Sequence, residues 1–170
     1  GAFESSDVAL ALFVTLADTG ARLAEIVGLE VIDLDKQNSS IWIRPNSHRS
    51  LKTKNSARLI PLSPRALTLL APLTEGQDGT NPIFPAYSKP RGNDLASAML
   101  MKRLRKVVAD KKKTIHSLRH RMKDRLRNSD CPEPLSLAIL GHSRNTIAEN
   151  YGSGYSLEKM REAMTRAWLT

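Results

Sequence analysis

Two short runs stand out from the helical patterning of the rest of the chain: Ile41-Trp42-Ile43-Arg44 and Ala57-Arg58-Leu59-Ile60-Pro61-Leu62, both rich in β-formers. A polar, basic stretch from Pro45 to Ser56 separates them. Two strands joined in this way are expected to pair antiparallel, with Lys52 and Lys54 in or beside the turn. So little strand cannot enclose a core by itself, so helices must supply it. The expected fold class is therefore α+β, mainly α-helical with a small antiparallel β-sheet.

The helical signals are local and physical. Ser5, Ser6 and Asp7 offer capping oxygens before the apolar run Val8 to Val14, which reads as a buried helix stopped at Asp18-Thr19-Gly20. A second short helix is expected to carry Arg22 to Val27, with Leu23, Ile26 and Val27 on one face, Arg22 and Glu25 one turn apart, and Gly28 as the stop. Ser63-Pro64 opens another, proline suiting the first helical position. Residues 72–93 read as a Pro/Gly-interrupted connector pinned to the core by Ile83 and Phe84. Helices are then expected from Asn93 or Asp94 through Val108 to the Lys111-Lys112-Lys113 run, from His116, over Glu133 to Leu140, over Arg144 to Asn150 and over Ser156 to Trp168.

At 170 residues the chain matches one globular domain, long enough for a single sizeable core. Its net charge of +9 suits a polyanionic partner. The charge is concentrated: residues 101–127 hold twelve basic side chains against Asp110 and Asp124, leaving fourteen basic and fifteen acidic residues elsewhere. Such a block is either a phosphate-contacting surface, whose affinity would fall with salt, or a solvated basic helix face. A membrane partner is disfavoured, since no apolar run approaches the roughly 20 residues that span a bilayer. The lone Cys131 excludes an internal disulfide framework and a multi-cysteine zinc site. A reducing, cytoplasmic setting fits, and no leader peptide is indicated. The start at Gly1-Ala2-Phe3, without methionine, fits a domain cut from a longer protein.

Several spaced motifs carry chemistry. Thr19-Gly20-Ala21-Arg22-Leu23-Ala24-Glu25-Ile26-Val27-Gly28-Leu29 is followed by Lys52-Thr53-Lys54 through Leu62, then His116-Ser117-Leu118-Arg119-His120, then Leu140-Gly141-His142-Ser143, and, nine positions after His142, Tyr151-Gly152. In this order the set resembles the arginine, lysine, second-box and tyrosine motifs of the tyrosine recombinases, the phage-integrase family. The resemblance covers about residues 5–168. It implies that the whole of 1–170 is a single C-terminal catalytic domain, without the N-terminal core-binding domain with which integrases close a clamp on DNA. It further implies site-specific strand exchange on double-stranded DNA within a tetramer, with accessory DNA-bending proteins as further partners. No cofactor or metal is implied. One departure is Arg121-Met122-Lys123-Asp124, where the family often has small or aromatic residues; this bears on helix packing more than on chemistry.

The resemblance assigns six residues. Arg22 and Arg119 would hold the scissile phosphate; arginine's planar fork stays protonated and can stabilise charge developing on non-bridging oxygens. The plainer reading of Arg22 is a helix-surface pair with Glu25, and Glu25 is expected to orient the arginine or support the fold. Tyr151 would be the nucleophile, leaving a 3′-phosphotyrosine and a 5′-hydroxyl. Its phenol, with an ordinary pKa near 10, needs help in losing its proton. His116 is the candidate for that help, since imidazole is neutral near pH 7. Lys52 would protonate the leaving oxygen, with Lys54 a competitor because turn register is open. His142 would hydrogen-bond the phosphate, against a plainer capping role after Gly141. His116 and His120, four apart, raise zinc as another reading, but neither the glutamate of a metalloprotease helix nor a third ligand is apparent.

Three activities share these features: an integrase, a type IB topoisomerase-like nicking and closing enzyme, and a DNA-binding relative without catalysis. Leu157, Met160, Met164 and Trp168 form an apolar stripe, which either packs on its own core or, as the resemblance allows, docks on a neighbouring protomer.

Overall fold

The apolar run beginning at Val8 is helical in the computed structural model, which describes residues 5–46, 57–142 and 154–170. This helix, α1 (Ser5–Thr19), lays Ala9, Ala11, Leu12 and Leu16 into the core. It stops at Gly20, which takes a left-handed φ of 69° and donates its amide to the Leu16 carbonyl at 3.0 Å. A Cβ there would stand 2.6 Å from Leu140 Cδ2 and 3.0 Å from Met122 Cβ, so both backbone angle and space require glycine.

Helix α2 (Leu23–Val27) begins one residue later than expected, with Arg22 as its N-cap in extended conformation. The cause is Glu25, whose Oε1 accepts the Arg22 amide at 2.8 Å and so holds that residue outside the helix. Gly28 ends α2 as expected, its amide on the Ala24 carbonyl at 3.3 Å.

The two expected strands are β2 (Ser40–Ile43) and β3 (Arg58–Pro61) of a three-stranded antiparallel sheet in the order β1-β2-β3. Their register pairs Ile41 with Ile60, Trp42 with Leu59 and Ile43 with Arg58. Ile41, Ile43 and Ile60 are buried while Trp42 and Leu59 face out, as a half-covered sheet requires. The edge strand β1 (Leu34–Asp35) has no signal in the sequence, since two residues are too few to show alternation. It is brought back by a turn in which the Asp35 carboxylate accepts the Asn38 amide at 2.9 Å and the Asn38 side-chain NH2 at 2.7 Å. Lys52 and Lys54, between β2 and β3, lie outside the described residues.

Helix α3 (Pro64–Leu70) has proline in its first turn and Ser63 as its cap, Oγ accepting the Ala66 amide at 3.2 Å. The connector after it is pinned as expected: Ile83 and Phe84 are buried, and the Ile83 amide donates to the Leu29 carbonyl at 2.9 Å. Next come α4 (Gly92–Val107), which ends short of the Lys111-Lys112-Lys113 run because the backbone turns extended at Val108, then α5 (Ser117–Asn128) with His116 at its cap, and α6 (Glu133–Leu140), closed by Gly141 at a φ of 70°. The helix expected over 144–150 lies outside the described residues. Helix α7 (Leu157–Trp168) is capped by Ser156.

Helix α1 packs on α3 and α5, α5 on α6 and α7, and α7 on β3, around one core. The α7 stripe faces that same core: Met160 and Met164 are buried, and Leu157 and Trp168 pack against them in part. The Trp168 indole N–H donates to the Asp18 carbonyl at 2.8 Å, and Arg161 donates to the carbonyls of Asn38 and Ser39. Met122, within the departure from the family pattern, is fully buried, so α5 keeps a packed inner face there.

Candidate active site

Helix α5 turns Arg119 inward because Met122 and Leu126, three and seven positions on, are core residues of the same face. The guanidinium is held by main-chain carbonyls. Nη1 donates to that of Gly20 and Nη2 to that of Leu140, each at 2.7 Å. It thereby ties the end of α1 to the end of α6. Burial, and after it the nearby Arg22 and Arg58, push its pKa down to about 10, with Glu25 opposing. Arg119 is still a cation at neutral pH.

Arg22 enters from the α1–α2 turn, two residues past the carbonyl that anchors Arg119. Its Nη1 lies 3.7 Å from Glu25 Oε2, an ion pair too long for a hydrogen bond. Among the described residues this buried nitrogen has no hydrogen-bond partner. Glu25 is engaged elsewhere: Arg58 grips it with Nη1 on Oε2 at 2.8 Å and Nη2 on Oε1 at 3.1 Å. Arg58 Nε also donates to the Ile139 carbonyl at 3.0 Å. Burial alone would raise the Glu25 pKa. The Arg58 hydrogen bonds and charge, with the Arg22 amide, outweigh it and hold the carboxyl below its ordinary value.

His116 and His142 flank the arginines. His116 caps α5, three residues before Arg119, and its ring meets that of His120 edge-on at 4.9 Å between centroids. His142 follows Gly141 and donates its amide to the Leu137 carbonyl at 2.9 Å. Both imidazoles have lowered pKa values. For His116 the causes are partial desolvation, then His120, Arg119 and Arg22; for His142 they are desolvation, then Arg119, Arg22, Lys123 and Arg58. Both rings are therefore neutral near pH 7.

The fold thus brings Arg22, His116, Arg119 and His142 together, with Glu25 and Arg58 behind them. Lys52, Lys54 and Tyr151 lie outside the described residues. Sequence reading gives Arg58 no role, although a signal exists: in β3 it shares the pleat face of buried Ile60, whereas Leu59 points out. An arginine on the inner face of a strand needs a buried acid. Among the described residues, no three His, Cys, Asp or Glu side chains gather as a metal site would require, and no helix is long and apolar enough to cross a membrane.

A family model described as the phage integrase family matches residues 4–155. Among solved structures, the chain is similar to the Tn1549 transposon integrase in complex with a circular intermediate DNA, with a TM-score of 0.64 and 23% identity over 96% of this chain and 60% of that one. It is also similar to the same integrase in complex with transposon right end DNA (TM-score 0.61, 22% identity, 96% and 60% covered) and to XerA recombinase (0.59, 22%, 98% and 63%). The chain thus spans about three fifths of each of these structures. At such identities the likeness speaks for the fold. No curated protein sequence matches the chain.

Proposed function

The chain belongs to the phage integrase family, and from that premise we propose that it is the catalytic domain of a site-specific tyrosine recombinase, cutting and rejoining duplex DNA to integrate or excise a DNA element. The observation that carries the reading is a cationic excess at one point. Arg22 and Arg58 flank the single carboxylate of Glu25, Arg119 lies near enough to feel all three charges, and Arg22 Nη1 is buried without a hydrogen-bond acceptor among the described residues. A buried donor left unmade costs about 1–3 kcal/mol, and more when charged, so the arrangement is suited to an anion such as a phosphodiester.

In this reading Arg22 and Arg119 grip the non-bridging oxygens and stabilise the charge that grows there in the transition state. The Tyr151 oxygen attacks phosphorus and the 5′-oxygen leaves. The tyrosine proton passes to neutral His116, while Lys52, or Lys54 in its place, protonates the 5′-oxygen. His142 hydrogen-bonds the phosphate. The products are a 3′-phosphotyrosine and a 5′-hydroxyl, and reversal on a new strand rejoins DNA without an external energy source. Exchange between two duplexes calls for a tetramer on DNA, with DNA-bending proteins as accessory partners. Such a protein works in the cytoplasm, where its DNA is.

The test is an SDS-resistant adduct assay with nicked duplex DNA, comparing the chain with its Tyr151→Phe variant. A protein–DNA adduct mapped to Tyr151 by mass spectrometry, absent from the variant, is the expected result. DNA binding with no adduct from either protein would replace the enzyme with a binding-only relative. Relaxation of supercoiled plasmid without strand exchange would point to a topoisomerase-like activity.

A further inference from the structure

We propose that Arg58 is a positioning residue that keeps Glu25 from capturing Arg22, and so leaves the Arg22 guanidinium open to phosphate. This rests on the reading of Arg22 and Arg119 as phosphate ligands. Glu25 sits between two arginines but is not shared equally. Arg58 holds both of its oxygens, at 2.8 and 3.1 Å, whereas Arg22 Nη1 stays 3.7 Å away. The pair is dry, with only 7% of the Arg58 side chain and 5% of the Glu25 side chain exposed. A buried carboxylate deprived of Arg58 would draw in another cation, and among the described residues Arg22, at 3.7 Å, is the one that stands beside it. The donor that should meet phosphate would then be spent on Glu25.

Arg58 also reaches the second arginine. Its Nε holds the Ile139 carbonyl at 3.0 Å, one residue before the Leu140 carbonyl that anchors Arg119. Its guanidinium lies against Gly141, where a Cβ would come within 2.4 Å of Nη1, so it also braces the turn leading to His142. Lysine could supply the charge but not the planar fork that reaches both Glu25 oxygens and the Ile139 carbonyl at once. Three of the five N–H donors of Arg58 are directed at Glu25 and the Ile139 carbonyl, so the role assigned to it runs through these groups.

The experiment is an NMR titration of the 170-residue chain with inorganic phosphate, following the arginine 15Nε resonances. The unmodified chain should show saturable shifts at Arg22 and Arg119. Arg58→Gln and Arg58→Lys should each weaken phosphate binding by about tenfold or more, the loss expected for one charge-assisted hydrogen bond. Adding Glu25→Gln to Arg58→Gln should restore much of the affinity, because the competing carboxylate is gone. Because removing the unpaired carboxylate would also relieve a folding defect, affinities are compared at a temperature where thermal unfolding shows each variant fully folded, and a double variant that then binds no better than Arg58→Gln overturns the assignment. If Arg58→Gln fails to fold, the double variant, which removes both buried charges, is compared with Glu25→Gln alone. Equal affinities are then expected, and a further loss of about tenfold would mark Arg58 as a direct ligand. Absence of shifts at Arg22 and Arg119 in the unmodified chain would instead overturn the phosphate-site reading, and this assignment with it.

Discussion

Arg119 and Arg22 are held in opposite ways, and conservative substitution should separate them. Arg119 bridges two carbonyls 2.7 Å from its two terminal nitrogens, and a single ammonium cannot reproduce that span. Arg119→Lys should therefore cost about 1–3 kcal/mol of stability through one buried acceptor left unpaired. Among the described residues Arg22 makes no comparable side-chain bond, so Arg22→Lys should change stability by about 0.5 kcal/mol or less. Urea unfolding of both variants checks this; equal losses would mean that the two carbonyl bonds contribute nothing net. The difference is not legible in the sequence, where both arginines look alike within their motifs. The motifs mark Arg22, His116, Arg119 and His142 as a set. They do not say which residue is anchored, because the anchors are main-chain atoms 99 and 21 positions from Arg119. Arg58 escapes notice for the same reason, its partners lying 33 and 81 positions away.

At the scale of elements, Asp18 is where three helices meet. Its carboxylate, at the end of α1, accepts Arg65 Nε at 2.7 Å, Arg65 Nη2 at 2.6 Å and Ser63 Oγ at 2.5 Å from the start of α3, and its carbonyl accepts Trp168 of α7. Burial would raise its pKa, but the Arg65 and Ser63 hydrogen bonds and the Arg65 charge hold it below the usual 3.8. A depressed carboxyl stabilises the fold above the unfolded-state pKa, and that contribution fades as pH falls through the lower folded-state value. Asp18→Asn should therefore cost about 1–3 kcal/mol near pH 7, with the gap to the unmodified chain closing in strong acid. Urea midpoints across acid and neutral pH test it, and a gap constant with pH would show that the charge is not what matters. Helices are the most legible elements, because caps and apolar runs are local: α3 and α6 start where Ser63-Pro64 and Glu133 indicate. Strand β1 is not legible, since its existence depends on pairing Leu34 with Ile41 across a turn.

Over the whole molecule, charge is the property that sequence alone displays best. The Lys111-Lys112-Lys113 run is exposed between α4 and α5. If it touches phosphates, replacing all three lysines with alanine should reduce the slope of log affinity against log salt by up to about 0.9 for each phosphate no longer neutralised. Fluorescence anisotropy with duplex DNA at several salt concentrations measures this; an unchanged slope would make the run a solvated face. The grip on Arg119 has a different kind of consequence. Because Gly20 and Leu140 hold it through carbonyls, the grip is a property of the backbone path rather than of neighbouring side chains. Ordinary side-chain replacements leave such carbonyls in place as long as the path is kept, so most positions around this arginine can change without releasing it, and the glycine at position 20, whose left-handed turn the path requires, is the exception.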